Sequence, residues 1–217
     1  MPLVDKCFIL QRFPSPDSSL IVKCYFQKLG KRTLFVPEYF YFQRFKVGIF
    51  EPFNVVEIHA ESGGDLLTAI DTSECRCYSL KIAKNFPRFI FLSKLSKTVL
   101  KFVKEPEVEI FKLLESSLEI EGYFGFNFIR FLINLSSILG FSPQNLKKPG
   151  WINLITLSSC RKAEIKNHYC IFLNPEEFAV LKKVSILQTR PFSIRKKTTE
   201  GLERFFYRFL EFQNQNF

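Results

Sequence analysis

The chain has 217 residues, with 31 Lys and Arg against 21 Asp and Glu, a formal net charge of +10 and 47% hydrophobic residues. That is ample for a packed core and allows one large domain or two small ones. The best apolar run, 123–139, carries Asn127, Arg130 and Asn134 and falls short of the roughly 20 residues of a membrane span, and Val4-Asp5-Lys6 interrupts any secretory pattern, so the reading is a soluble, cytoplasmic protein whose six cysteines are reduced thiols.

In chain order, residues 3–80 read as β-rich. Leu3 to Leu10, Leu20 to Gln27, Arg32 to Val36, Val55 to Ala60 and Leu66 to Asp71 are predicted strands, rich in β-branched and aromatic residues. Lys28-Leu29-Gly30-Lys31 is a turn in which Gly30 takes positive φ without strain, and Ser62-Gly63-Gly64-Asp65 is another. Five short strands in this span suit a small closed barrel, of OB or SH3-like type. From Ser79 the period becomes helical. Ser93 to Lys104 brings Leu95, Val99, Leu100 and Val103 together and sets Lys94, Lys97, Lys101 and Lys104 on another face. Pro106 introduces a helix with Val108, Phe111, Leu114 (or Leu113) and Leu118 as its apolar stripe, ended by Gly122. Tyr123 to Leu139 is a third helix, apolar nearly all round and capped by Gly140. Residues 144–172 are the least regular, with Trp151 to Leu157 open between a strand and a buried loop. Asn174-Pro175-Glu176-Glu177 starts a helix with a capping box that runs to about Val184. A last helix from Thr198 or Thr199 to about Gln213 buries Leu202, Phe205, Phe206, Phe209 and Leu210. The predicted class is α+β, with a barrel domain over 1–80 and an α-helical domain over 81–217.

Charge is unevenly placed. Residues 1–80 balance to zero, so the whole excess lies in 81–217. Between Leu20 and Phe50, however, Lys23, Lys28, Lys31, Arg32, Arg44 and Lys46 face only Glu38, interleaved with aromatics. Cations for phosphates and rings for bases suit a nucleic-acid surface. Residues 81–104 carry Lys81, Lys84, Arg88 and the four lysines of the stripe without an acid, and a Glu-rich block follows, so two oppositely charged surfaces are expected. The stripe reads either as a solvated face or as a binding face for phosphates or an acidic peptide.

Catalytic chemistry has little support. His59 follows a strand without an evident nucleophile, His168 stands apart, and Gly30-Lys31 lacks the rest of a phosphate loop. Glu105, Glu107 and Glu109 straddle a helix start and suit its dipole. Cys75 and Cys77, and the set Cys160, His168 and Cys170, lack the paired spacing of a structural zinc. A non-enzyme without metal or cofactor is expected. The 27 Phe fall mostly at core-like spacing and read as core residues.

One resemblance adds to this. Leu29-Gly30-Lys31, then Gln43 to Gly48, then Glu51-Pro52-Phe53 follow in the order of the bacterial recombination mediator family RecO. Phe8-Ile9-Leu10-Gln11-Arg12 and Ser18-Ser19-Leu20 precede them, and Ile138-Leu139-Gly140-Phe141-Ser142-Pro143 and Leu173-Asn174-Pro175-Glu176 follow, so the resemblance covers nearly the whole chain. It favours an OB barrel. It implies binding of single- and double-stranded DNA, annealing of complementary strands, engagement of RecR and of the acidic tail of single-stranded-DNA-binding protein, and help in loading RecA. Lys31, Arg32, Arg44 and Lys46 become the DNA-contact candidates, and Lys94, Lys97, Lys101 and Lys104 the acidic-tail or DNA candidates. The chain departs from the family in two places. Residues 36–42 lack the family's basic run and hold aromatics at 39–42, which either stack on bases or pack against the helical domain, and no Cys-x-x-Cys supplies the family's zinc site. The alternative is an interaction adaptor of the same pathway that binds little DNA itself.

Overall fold

The computed structural model describes residues 3–38, 48–63, 66–140, 146–160, 169–186 and 190–216. Packing divides the chain into two compact units, 1–120 and 121–217. The first contains β1 (Leu3–Pro14), β2 (Leu20–Phe26), β3 (Gly30–Val36), β4 (Val55–Gly63), β5 (Leu66–Arg76), α1 (Ser79–Ala83), α2 (Phe86–Phe102) and α3 (Val108–Ser117). The strands close into a barrel in the order β1-β2-β3-β5-β4. All pairs are antiparallel except β3 with β5, which are parallel and seal it. The five strands fall where the sequence places them; β1, β4 and β5 each run further, and β3 starts at Gly30, taking in two residues expected in the turn. The strands end near the expected boundary at residue 80, whereas the contacts group α1–α3 with the barrel.

Alternation explains the core. Cys7, Ile9, Val22, Cys24, Leu34, Val56 and Ile58 point inward and are fully buried, as period-two strands require. Phe8 and Tyr25 pair across β1 and β2 and have the opposite parity, yet they too are buried. Both α2 and α3 lie against β1, and their connection grips Tyr25. The Tyr25 hydroxyl donates to the Glu107 carbonyl at 3.0 Å and accepts from the Glu107 N–H at 2.9 Å. Burial raises the Tyr25 pKa.

The second unit holds α4 (Phe124–Ile138), a three-stranded sheet of β6 (Gly150–Asn153), β7 (Ser158–Ser159) and β8 (Cys170–Leu173) in the order β7-β6-β8, then α5 (Pro175–Val184) and α6 (Lys196–Asn216). The capping box forms as expected: Asn174 Oδ1 accepts from the Glu177 N–H at 2.8 Å and Glu177 Oε2 accepts from the Asn174 N–H at 2.9 Å. The buried Glu177 lies against α6 at Gly201, where a Cβ would collide with its carboxylate. Leu202, Phe205, Phe206, Phe209 and Leu210 are buried as expected, and α6 begins earlier than expected, at Lys196. Gly140, at φ +85, follows the end of α4. Among the described residues, no helix is long and apolar enough to cross a membrane.

Candidate nucleic-acid interface

The β2–β3 hairpin builds the basic face of the barrel. In the β2–β3 register Lys23 stands opposite Thr33 and Tyr25 opposite Lys31, so the two lysines share the outward face. With Arg32, Thr33 and Leu100 they line a cleft of about 370 Å³ that no acidic residue enters among the described residues. The Lys23 ammonium lies 5.5 Å from the centre of the Phe13 ring, and the exposed Arg32 donates to the Lys31 carbonyl at 2.9 Å.

Lys31 has a second task. Its ammonium donates to the Leu100 carbonyl at 3.0 Å. That carbonyl belongs to the last turn of α2, where carbonyls lack helical partners and the helix dipole favours a cation. Burial, then the charge of Lys23, lowers the Lys31 pKa. Gly30 beside it has φ +67, and a Cβ there would meet Pro106 Cα at 2.6 Å. The Leu29-Gly30-Lys31 motif is therefore also an internal dock: Gly30 admits the α2–α3 connection and Lys31 caps α2. Arg44, Lys46 and the aromatic run 39–42 lie outside the described residues.

The four lysines of the stripe separate. Lys97 and Lys101 are exposed on α2, Lys94 is half-buried, and Lys104 is exposed but stands beyond the helix, which ends at Phe102. The expected helix to Lys104 is therefore two residues too long, because Val103 turns extended. Lys101 lies over the Phe102 ring at 5.1 Å. Upstream, Arg88 does not continue the basic face: it is buried, and its guanidinium donates to the Leu118 carbonyl at the end of α3. The acidic block is partly engaged, with Glu115 paired to Arg76 and Glu119 accepting from the Tyr78 hydroxyl at 3.0 Å.

Asn54 is a central residue that the sequence reading missed. Fully buried, its Nδ2 donates to the Gly48 and Ile49 carbonyls at 2.9 and 3.0 Å. Its Oδ1 accepts from the Tyr78 and Ser79 N–H groups at 2.9 and 3.0 Å. Four bonds from one side chain tie the Gly-x-x-x-Pro-Phe turn to the start of α1. Phe53, at φ +74, meets Phe89 edge-on with ring centres 5.7 Å apart. Between them lies a mostly apolar groove of about 630 Å³ lined by Pro52, Phe53, Leu80, Ala83 and Phe89, with the Arg12–Glu51 ion pair at 2.8 Å among its walls.

His59 does have a hydroxyl neighbour, contrary to expectation. Its Nε2 is 3.3 Å from Ser73 Oγ across β4 and β5, but the Ser73 hydroxyl donates to Glu57. The imidazole is thus not placed to take the serine proton, as nucleophile activation requires. Cys75 and Cys77 bring their sulfurs to 3.0 Å, and burial, then the Cys77 thiol, pushes Cys75 up to about 12. Among the described residues no three His, Cys, Asp or Glu side chains converge as a metal would need. His168 lies outside those residues.

The chain matches no protein-family model. It is 30% identical over 146 residues to an uncharacterized protein of Aquifex aeolicus (strain VF5), a match covering 64% of this chain and 66% of that one. The matched stretch thus falls just short of two thirds of the relative's length.

Proposed function

We propose that the chain is a DNA-repair mediator of the RecO type, which binds and anneals single strands and engages the acidic tail of single-stranded-DNA-binding protein and RecR to help load RecA. The observation that carries this reading is the closed five-stranded barrel, with parallel β3–β5 closure, bearing on its β2–β3 face a cleft lined by Lys23, Lys31 and Arg32. The strand order supports an OB barrel, a fold whose sheet face binds oligonucleotides. In this reading the work is physical rather than catalytic, takes place in the cytoplasm and needs no metal or cofactor. Lys23 and Arg32 meet phosphates at the hairpin, Lys97 and Lys101 extend the basic surface along α2, and Lys31 mainly holds hairpin and helix together.

The adaptor reading keeps one specific support. Lys31 is committed to Leu100, and the apolar groove over Phe53, Leu80 and Phe89, near the exposed Lys81 and Lys84, suits an acidic peptide with apolar side chains. Strand annealing distinguishes the two. The mediator reading expects the wild type to accelerate pairing of complementary strands, and Lys97→Glu with Lys101→Glu to slow it well beyond the effect of reversing two isolated surface lysines. A wild type that fails to anneal yet retains the acidic tail peptide would establish the adaptor.

A further inference from the structure

We propose that Cys75 and Cys77 are a reversible oxidation site, a dithiol that a small-molecule disulfide of the glutathione class closes into an intramolecular disulfide. The inference is independent of the strand-binding reading. Cys75 lies one residue before the end of β5 at Arg76, and Cys77 follows that end. Their sulfurs stand 3.0 Å apart. A disulfide needs about 2.0 Å, so closure asks for a shift of only about 1 Å. The approach is held from both sides. Arg76, between the two cysteines, is ion-paired to Glu115 of α3. On the other side the Tyr78 N–H donates to the buried Asn54 Oδ1 at 2.9 Å, and the Tyr78 hydroxyl donates to Glu119 at 3.0 Å. Both neighbours of Cys77 are therefore anchored, and the two sulfurs meet in the resting fold.

Access differs between the two thiols as an exchange site requires. Cys77 is exposed and lines the groove beside Phe53 and Phe89, so an incoming disulfide reaches it first. Cys75 is half-buried against the barrel core. Cys77, as thiolate, attacks one sulfur of the incoming disulfide; a mixed disulfide forms and the first small thiolate leaves. Cys75 then gives up its proton and attacks the Cys77 sulfur; the Cys75–Cys77 bond forms and the second small thiolate leaves. Two protein thiols are oxidised, one disulfide is reduced, and the two protein protons end on the two released thiols. Burial, then the Cys77 thiol, raises the Cys75 pKa, and capping Cys77 removes the second of these causes at the step where Cys75 must ionise. Cys7, Cys24 and Cys170 are buried, out of reach of the same reagent. A ring closed across one intervening residue constrains the unfolded chain little, so the bond suits a reversible mark better than a structural staple.

The experiment incubates the full chain with graded mixtures of reduced and oxidised glutathione and quenches in acid. The protein is then denatured and alkylated with N-ethylmaleimide, and the adducts are counted by intact mass. The fully reduced chain carries one adduct on each of its six cysteines. The site predicts that oxidised glutathione removes two adducts without adding glutathione, and that dithiothreitol restores both. Cys77→Ser, at an exposed position, is expected to keep every remaining adduct. Cys75→Ser is expected to trap glutathione on Cys77, read on the peptide that contains it. Full alkylation of the wild type at the most oxidising mixture would overturn the proposal and leave a thiol–thiol hydrogen bond only. Loss of two adducts that persists in Cys77→Ser would also overturn it, placing the reactive pair elsewhere. Stable glutathione on Cys77 of the wild type would overturn it too, because Cys75 would then not resolve the mixed disulfide.

Discussion

The two sheets of this protein treat their outward aromatics in opposite ways. On the barrel, Phe8 and Tyr25 face outward by alternation but are buried, with the Tyr25 hydroxyl held between the backbone groups of Glu107. On the small sheet of the second unit, Trp151 and Phe172 face outward and stay in water. Similar side chains at similar register positions thus do different work, depending on whether a following segment folds back over them. The same holds for cations: Lys31 is committed to a helix end, while Lys147 and Lys148 are exposed. Parity in a strand fixes the face of a residue, and connections decide whether that face is available.

The strongest way to break this comparison is to prevent the barrel from being covered. Gly30→Ala places a Cβ at 2.6 Å from Pro106 Cα and in a backbone region with φ +67. Overpacking and left-handed strain together are expected to lower stability by about 2–4 kcal/mol, read as a shift in urea midpoint. Unchanged stability would mean that the α2–α3 connection does not depend on this approach. The aromatic side comes next: because Trp151 and Phe172 are exposed, Trp151→Leu/Phe172→Leu is expected to change stability by no more than about 0.5 kcal/mol, read as a nearly unchanged urea midpoint. A large stability loss instead would make the pair a structural element like Phe8 and Tyr25.

Gly201→Ala sharpens the comparison within the second unit. The new Cβ must displace the Glu177 carboxylate and so opens the capping box of α5, with an expected loss of about 0.5–2 kcal/mol. Retained stability would show that Glu177 reorients without consequence.

The smallest effect concerns pH. An unfolded thiol ionises near about 8.5, whereas burial, then Cys77, holds Cys75 protonated up to about 12. Burial, then Cys24, raises Cys7 in the same direction. The folded chain keeps protons that the unfolded chain gives up, so this contribution is complete below about pH 8.5 and is lost as the pH rises toward about 12. Thermal melts in reductant should fall across that window and fall less for Cys75→Ala. Lys31 works the other way, because its lowered pKa makes the unfolded chain the stronger proton binder just below the ordinary lysine range. Lys31→Met should therefore steepen the alkaline fall, and an unchanged slope would contradict its partial burial.

The five strands, α4, the capping box at Asn174 and the buried face of α6 were legible in the sequence because each is written in local periodicity and end signals. Long-range pairings were not. The Leu29-Gly30-Lys31 motif reads as a turn with a free cation until Leu100 and Pro106 arrive from about 70 residues downstream. Asn54 looks like an ordinary turn residue, since nothing local shows that Tyr78 and Ser79 will present their N–H groups to it. The lysine periodicity of 94–104 was visible, but not the helix end at Phe102 that sets Lys104 apart. Trp151 lay between two readings because its strand has only four residues, Gly150–Asn153.

The most direct test of the account is the affinity of the intact chain for a single strand across a salt series. For single strands, log affinity against log salt falls with a slope of roughly −0.7 for each phosphate neutralised. The account predicts measurable binding at low salt and a slope steeper than roughly −2, equivalent to three or more phosphates. No binding at low salt, or binding indifferent to salt, would contradict a strand-binding mediator and leave the apolar groove by Phe53 and Phe89 as the functional surface to pursue.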